Sequence, residues 1–322
     1  MKSLWYGLIK RWVKTALLIF YKKIKVTNKA GVPKKGPLII VANHQNTLLD
    51  PLLLACFIPR TFFFLLRASF FSSKFGRVMA KSLNMMPIYR PRDGVNIAKK
   101  NEAIFNYCVD LLNKEKTILI FPEGSHLGRW TLRPFQKGFA RIAQAYLNQP
   151  NAAPLQVLPI GLNYFDLSNA ANKVVIAVGE KITLIPAAET NSPAFLNELK
   201  DNAFEKLKKT ILFIPNNEQY EALANDCKHI MASETNTLKA LSKAQAHVND
   251  GVVKYTTKFT TAKTFTIKKL LWPLHLIPHL VANHIRKGVK DPQFKPSVYV
   301  VVSLVIHTIQ TTIITTLIIS NL

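Results

Sequence analysis

Between about residues 25 and 215 the sequence predicts an α/β domain, a mainly parallel mixed sheet covered by helices. Three observations carry this. Apolar runs of strand length alternate with segments of helical period. The strand runs are apolar almost throughout, as expected of strands buried on both faces. Polar residues able to do chemistry gather directly after the strand runs, where ligands bind in open α/β sheets.

The elements follow in order. Residues 3–21, "SLWYGLIKRWVKTALLIFY", set Trp5, Leu8, Ile9, Trp12, Val13, Ala16, Leu17 and Phe20 at helical spacing, with Lys10, Arg11 and Lys14 elsewhere around the turn. Trp on one face and Lys/Arg on another suit a membrane interface, and docking on the protein's own core is the alternative. "PLIIVA" (37–42), "TFFFLL" (61–66), "MMPIY" (85–89), "TILIF" (117–121), "LQVLPI" (155–160) and "KVVIAV" (173–178) read as strands. "TLLDPLLLACF", "NIAKKNEAIFNYCVDLLNKEK" and "KGFARIAQAYL" read as the helices between them. Residues 193–250 turn polar and helical without a chemical motif. From residue 263 the chain is apolar again. The stretch from Ser297 onward carries no charge and is long enough for a membrane span. Residues 270–285, broken by Pro273 and Pro278, fit an interfacial or re-entrant segment, and Arg286, Lys287, Lys290 and Lys295 are expected on the cytoplasmic side. The expected organisation is an amphipathic membrane-interface helix (1–24), the α/β domain (25–215), a helical region (216–262) and membrane-associated or transmembrane helical segments (263–322).

Composition narrows the function classes. With 43 Lys plus Arg against 18 Asp plus Glu, the formal charge is +25, which calls for an anionic partner. A mean hydropathy of +0.11 beside so much charge favours a membrane surface over nucleic acid. No zinc-finger spacing, RNP signature or basic zipper is present to support nucleic-acid binding. The three cysteines, Cys56, Cys108 and Cys227, show no paired spacing and fit a reducing, cytoplasm-facing location. The first residues, with Lys2, Lys10, Arg11 and Lys14 among the apolar ones, do not read as a signal peptide.

The chemistry starts at "LIIVANHQNTLLDP", residues 38–51. His44 follows an apolar strand, and Asp50 lies beyond it with five residues between. Inside one helix, six steps of 100° would set the two about 120° apart, so they meet only if His44 sits in a loop. A carboxylate on one ring nitrogen fixes the tautomer and leaves the other nitrogen free as a general base. The structural alternative is a capping box in "TLLD", with Thr47 as N-cap and Asp50 at the third helical position. A second strand runs into "FPEGSHLGRW", which offers Glu123, Gly124, Ser125 and His126, then Arg129 and Arg133. Lys137 and Gly138 open the following helix and make an anion site plausible. "MPIYRPRDG" ends a third strand with Arg90 and Arg92.

Four blocks in this order, "NHQNTLLD", "PIYR", "FPEGSH" and "VLPIG", resemble the glycerol-phosphate and lysophospholipid acyltransferases of the PlsC type over about residues 35–165. The resemblance implies an α/β fold and transfer of a fatty acyl group from an acyl thioester, acyl-CoA or acyl carrier protein, to a hydroxyl of glycerol 3-phosphate or lysophosphatidate in phospholipid synthesis. It implies His44 as catalytic base and Asp50 as its orienting partner. Arg90, Glu123 and Gly124 match positions that bind the acceptor, and Asn43, Ser125, Arg133 and Lys137 join them as substrate-binding candidates. No cofactor or metal is expected beyond the thioester co-substrate. The expected partners are membrane lipids and the acyl donor, with the active site facing the cytoplasm. Two departures stand out. The family more often has four residues between His and Asp, so this loop should be one residue longer. Where Thr-Arg often follows "FPEG", this chain has Ser125 and His126, leaving Arg129, Arg133 or Lys137 to supply the charge. The alternative functions are an acyltransferase acting on another lipid, such as a lyso-ornithine lipid, and a non-enzymatic peripheral lipid-binding protein.

Other candidates carry less. "VANH" recurs with His284, but the nearest downstream carboxylate, Asp291, lies beyond a basic loop and nothing like "FPEG" follows. His275, His279 and His284 have no Cys, Asp or Glu with them to complete a metal site. No Walker loop, dinucleotide fingerprint, zinc-protease pattern or nucleophile-elbow serine occurs.

Overall fold

A computed structural model describes residues 2–89, 96–167 and 173–250, and beyond them only positions 280, 281, 284, 285, 288, 302, 303, 305 and 306. The segments expected at 270–285 and 297–322 therefore lie almost wholly outside the described residues, as do Arg90 and Arg92. The strands are β1 (Lys23–Thr27), β2 (Leu38–Ala42), β3 (Phe62–Arg67), β4 (Met85–Ile88), β5 (Thr117–Ile120), β6 (Leu155–Tyr164), β7 (Lys173–Val178) and β8 (Ile182–Leu184). The helices are α1 (Lys2–Phe20), α2 (Leu49–Phe57), α3 (Lys74–Ser82), α4 (Ile97–Asn113), α5 (Gly138–Leu147), α6 (Pro193–Lys208), α7 (Tyr220–Ser233) and α8 (Thr237–Asp250).

The fold is a mixed sheet of mostly parallel strands flanked by helices, in the order β1-β7-β6-β2-β5-β3-β4, with β8 also pairing β6. β2 runs parallel to both β5 and β6, whereas β7 and β8 run antiparallel to β6. Strands β1 and β8 and helix α3 were not expected from the sequence. β1 is "KIKVT", an edge strand whose lysines break the apolar pattern while discouraging edge-to-edge pairing.

β2 has every residue buried, and its pleat divides them between two cores. Ile39 and Val41 point to a core built with α4, α5 and α6, while Leu38, Ile40 and Ala42 point to one built with α2 and the end of α1. Truncating one such side chain to Ala costs roughly 2–5 kcal/mol, so a strand filled on both faces is a firm platform for the loop that follows it. A third core joins Trp130 and Phe165 to the α7–α8 hairpin.

α1 is docked along only part of its surface. Leu17 is fully buried, and Cys56 Sγ of α2 donates a weak contact to the Lys10 carbonyl at 3.6 Å. Leu4, Trp5, Leu8, Trp12 and Leu18 are exposed. No helix among the described residues is long and apolar enough to cross a membrane.

Candidate active site

β2 and β5 are parallel neighbours, so the loops leaving their carboxyl ends meet. The first carries His44 and the second Glu123. His44 sits in a loop, as the spacing argument requires, and its Nδ1 lies 2.7 Å from Asp50 Oδ2. The same Asp50 oxygen accepts the Asn46 backbone N–H at 2.8 Å, and Oδ1 accepts the Tyr164 hydroxyl at 2.5 Å. Asp50 is completely buried, while the His44 side chain keeps 18% of its surface exposed. A buried anion with three donors is well compensated, and a ring still open to solvent is usable.

The capping-box alternative is not what forms. α2 begins at Leu49 after an N-cap Leu48 without a side-chain cap, and Thr47 has φ 40° instead of a cap conformation. This left-handed residue, rare for a β-branched side chain, supplies the turn that lets a six-residue separation close to a hydrogen bond. The longer spacing is thus absorbed within residues 45–48.

The loop is held from both sides. Asn43 Oδ1 accepts the Leu162 N–H at 2.7 Å and its Nδ2 donates to the Leu162 carbonyl at 2.9 Å. The side chain thereby prolongs the β2–β6 pairing by one rung after Ala42, and its polar atoms face backbone. On the other side Glu123 Oε1 accepts the His44 N–H at 2.8 Å and Oε2 accepts the Arg133 N–H at 2.9 Å. The His44 carbonyl accepts from Leu127 N–H at 2.8 Å. Burial pushes the Glu123 carboxyl up to about 7, with nearby Asp50 also raising it, against the two backbone donors and His44, which lower it.

Phe121 stacks on the His44 imidazole with centroids 4.3 Å apart, and His126 meets the same ring edge-on at 5.8 Å. Gly124, at φ 70°, is exposed, Ser125 is partly exposed, and Arg133 and Lys137 are exposed where the loop runs into α5. Arg129 is directed elsewhere: its guanidinium binds Asn216 and Glu221 and lies 4.0 Å over the Tyr220 ring. It ties the loop to α7 and does not provide the charge considered for it. A cleft of about 780 Å³ is lined by Thr27, Gly179, Lys206 and Gln245 among others, and its lining includes none of His44, Asp50 or Glu123.

Sequence reasoning missed Asn46, Phe121 and Tyr164 as parts of this site. Tyr164 ends β6, four residues past the expected strand, and its hydroxyl reaches Asp50 across 114 positions of sequence. No local pattern marks such a partner. The run "GLNY" after "LPI" had the residues to continue a buried strand, which was the one available signal.

Residues 23–163 match the family model described as Acyltransferase, a stretch containing all four motif blocks. An uncharacterized acyltransferase of Schizosaccharomyces pombe is 21% identical over 258 residues, covering 54% of this chain and 38% of that protein. The chain therefore spans about two fifths of the length of that relative. Among solved structures, the 1-acyl-sn-glycerophosphate acyltransferase PlsC of Thermotoga maritima is similar, at 20% identity and TM-score 0.45, covering 65% of this chain and 78% of that one.

Proposed function

We propose that this chain, whose residues 23–163 match the family model described as Acyltransferase, moves a fatty acyl group from an acyl thioester to a hydroxyl of glycerol 3-phosphate or lysophosphatidate at a membrane surface. The observation that carries this reading is the His44 Nδ1–Asp50 Oδ2 contact at 2.7 Å on a partly exposed ring whose partner is wholly buried. With Nδ1 donating to Asp50, Nε2 carries the lone pair. Nε2 removes the proton from the acceptor hydroxyl as that oxygen bonds to the thioester carbonyl carbon. The C–S bond then breaks, and the imidazolium returns the proton to the departing thiolate.

No covalent acyl-enzyme is required, because the thioester is already activated. The three cysteines are poor candidates for one: all are buried, and burial pushes their thiols up to about 11 for Cys56 and about 12 for Cys108 and Cys227. Arg133 and Lys137, exposed beside the α5 N-terminus, supply positive charge for the acceptor phosphate. Asn43 and Glu123 serve the substrate indirectly, by fixing the backbone on either side of His44. The excess of basic residues and the exposed face of α1 hold the protein on an anionic bilayer, on its cytoplasmic side. Acyl-CoA or acyl carrier protein is the co-substrate, and no metal or cofactor takes part.

The test is transfer of labelled acyl groups from acyl-CoA and from acyl carrier protein to a panel of glycerol 3-phosphate, lysophosphatidate and lyso-ornithine lipid on anionic vesicles. Saturable transfer to one of the first two acceptors is expected. Vesicle binding without transfer to any acceptor would replace this reading with that of a lipid-binding protein.

A further inference from the structure

The mechanism above uses one side of Asp50; the other is occupied by β6. Strand β6 brackets the whole His44 loop with two residues. The Leu162 backbone grips Asn43 at the start of the loop, and the Tyr164 hydroxyl reaches Asp50 at its end. Tyr164 is itself immobile: it is 1% exposed, its backbone pairs with Val174 of β7, and its carbonyl accepts Trp130 Nε1 at 2.8 Å. Tyr21, directly after α1 and 2% exposed, stands behind it, close enough to interact with both Tyr164 and the Asp50 charge.

We propose that Tyr164 is the positioning residue of the His44–Asp50 pair, its hydroxyl holding the Asp50 carboxylate as an anion aimed at His44 Nδ1, with Tyr21 closing the buried side. This rests on the reading of His44 as the general base. Without that hydroxyl, Oδ1 of the fully buried Asp50 would lose the donor it has in the Tyr164 hydroxyl. The carboxylate would then rotate or take up a proton, and either change releases the His44 ring. A phenol suits the position because burial raises its own titration well above the ordinary value, keeping it a donor at every working pH.

A merely structural tyrosine and a positioning tyrosine differ in their effect on proton binding. The unprotonated His44–Asp50 pair is anionic and the protonated pair is neutral, so a donor to Asp50 favours the unprotonated form. Among the described residues, the other ionisable groups beside the pair are Glu123 and His126 from the β5 loop and Tyr21 after α1; all three are unchanged in a position-164 variant. Removing the donor therefore shifts the pair's titration to higher pH, and strengthening it shifts the titration to lower pH.

The experiment compares the full-length protein with Tyr164→Phe and with 3-fluorotyrosine at position 164, whose more acidic phenol is a stronger donor of the same shape. Two readouts are taken: the pH titration of the His44 ring by ¹⁵N NMR, assigned with His44→Gln, and acyl-transfer kinetics. For Tyr164→Phe the expectation is an upward shift of about one pH unit and a fall in kcat of about tenfold at near-constant KM, the size of losing one charge-assisted hydrogen bond. The fluorinated protein should shift the opposite way. Unchanged titration in both variants, or shifts of the same sign, would overturn the proposal while leaving acyl transfer intact. Opposed shifts in a protein that transfers no acyl group would uphold the positioning role and remove the acyltransferase reading.

Discussion

Two histidine–aspartate pairs occur among the described residues, and their exposures are reversed. In the first, His44 is 18% exposed and Asp50 fully buried, at 2.7 Å. In the second, His247 of α8 is 4% exposed and its partner Asp226 of α7 is 23% exposed, at 3.1 Å. The first pair presents its base and hides its acid; the second hides its base and presents its acid. General-base chemistry needs a ring nitrogen that a substrate can reach, together with a carboxylate shielded from water so that its hold on the ring stays strong. Only the His44 pair meets both conditions. His247 instead joins two helices beside Cys227 and Ala244, within the core that also holds Trp130.

The largest difference between the pairs should appear in catalysis. His44→Ala is expected to lower kcat/KM by about 10³-fold, within the span that general-base catalysis supplies, and Asp50→Asn by about 10²-fold or more through loss of the ring's tautomer and orientation. His247→Ala should leave kcat/KM within about twofold, because its ring ties α8 to Asp226 of α7 instead of to the His44 loop. Steady-state kinetics on the three variants, with circular dichroism to verify folding, measures the contrast. A His247 variant as damaged as the His44 variant would erase it.

A smaller difference concerns what stands behind each pair. His44 is propped by a third acid, Glu123, which accepts both the His44 and Arg133 N–H groups, whereas His247 is packed within the α7–α8 hairpin. The Glu123 carboxyl is raised from the ordinary range near 4.5 to about 7 in the folded protein. A group that holds its proton more tightly when folded adds most stability below its unfolded pKa, and that contribution declines as pH rises toward the folded value. The stability of the wild type relative to Glu123→Gln should therefore fall between about pH 4.5 and 7 and level off above 7. Urea denaturation of both proteins across this window measures the difference, and a rising one would show the carboxyl to be stabilised as an anion. The same variant offers one acceptor oxygen where two N–H groups need one each, so kcat should drop about tenfold.

How much of this was legible beforehand depends on how far apart the partners lie in sequence. The contact between His44 and Asp50 could be argued from six residues of spacing and a strand end, and the central strands could be read from unbroken apolar runs. Arg129 and Glu123 show the limit. Their residue types pointed to anion and acceptor binding, yet Arg129 is drawn to Glu221 and the Tyr220 ring, and Glu123 to the backbone of His44, which lies 79 positions away. Asn43 and Tyr164 depend on the register of β2 against β6, across 119 and 114 positions. Local sequence carries no record of that register. Edge strand β1 escaped notice for another reason: alternating lysines leave no apolar run, and its place is set by pairing with β7.

The smallest expected effect belongs to the second pair and bears on stability alone. His247→Ala removes a buried ring and leaves Asp226, 23% exposed, to be solvated. Because water can recover the carboxylate, the loss comes chiefly from ring packing and the contact with Asp226, about 1–3 kcal/mol. It should appear as a lower urea midpoint at unchanged m-value, since the surface exposed on unfolding stays nearly the same. His44→Ala should shift the midpoint less, because the ring it removes is partly exposed and the loop stays anchored through Asn43, Glu123 and the Leu127 N–H. The two substitutions would thus divide in opposite directions, one cutting turnover with little loss of stability and the other loosening the fold with turnover intact. If the His44 variant proved the less stable of the two, the exposed ring would be a structural post, and Asp50 would be buried to hold the fold instead of to orient a base.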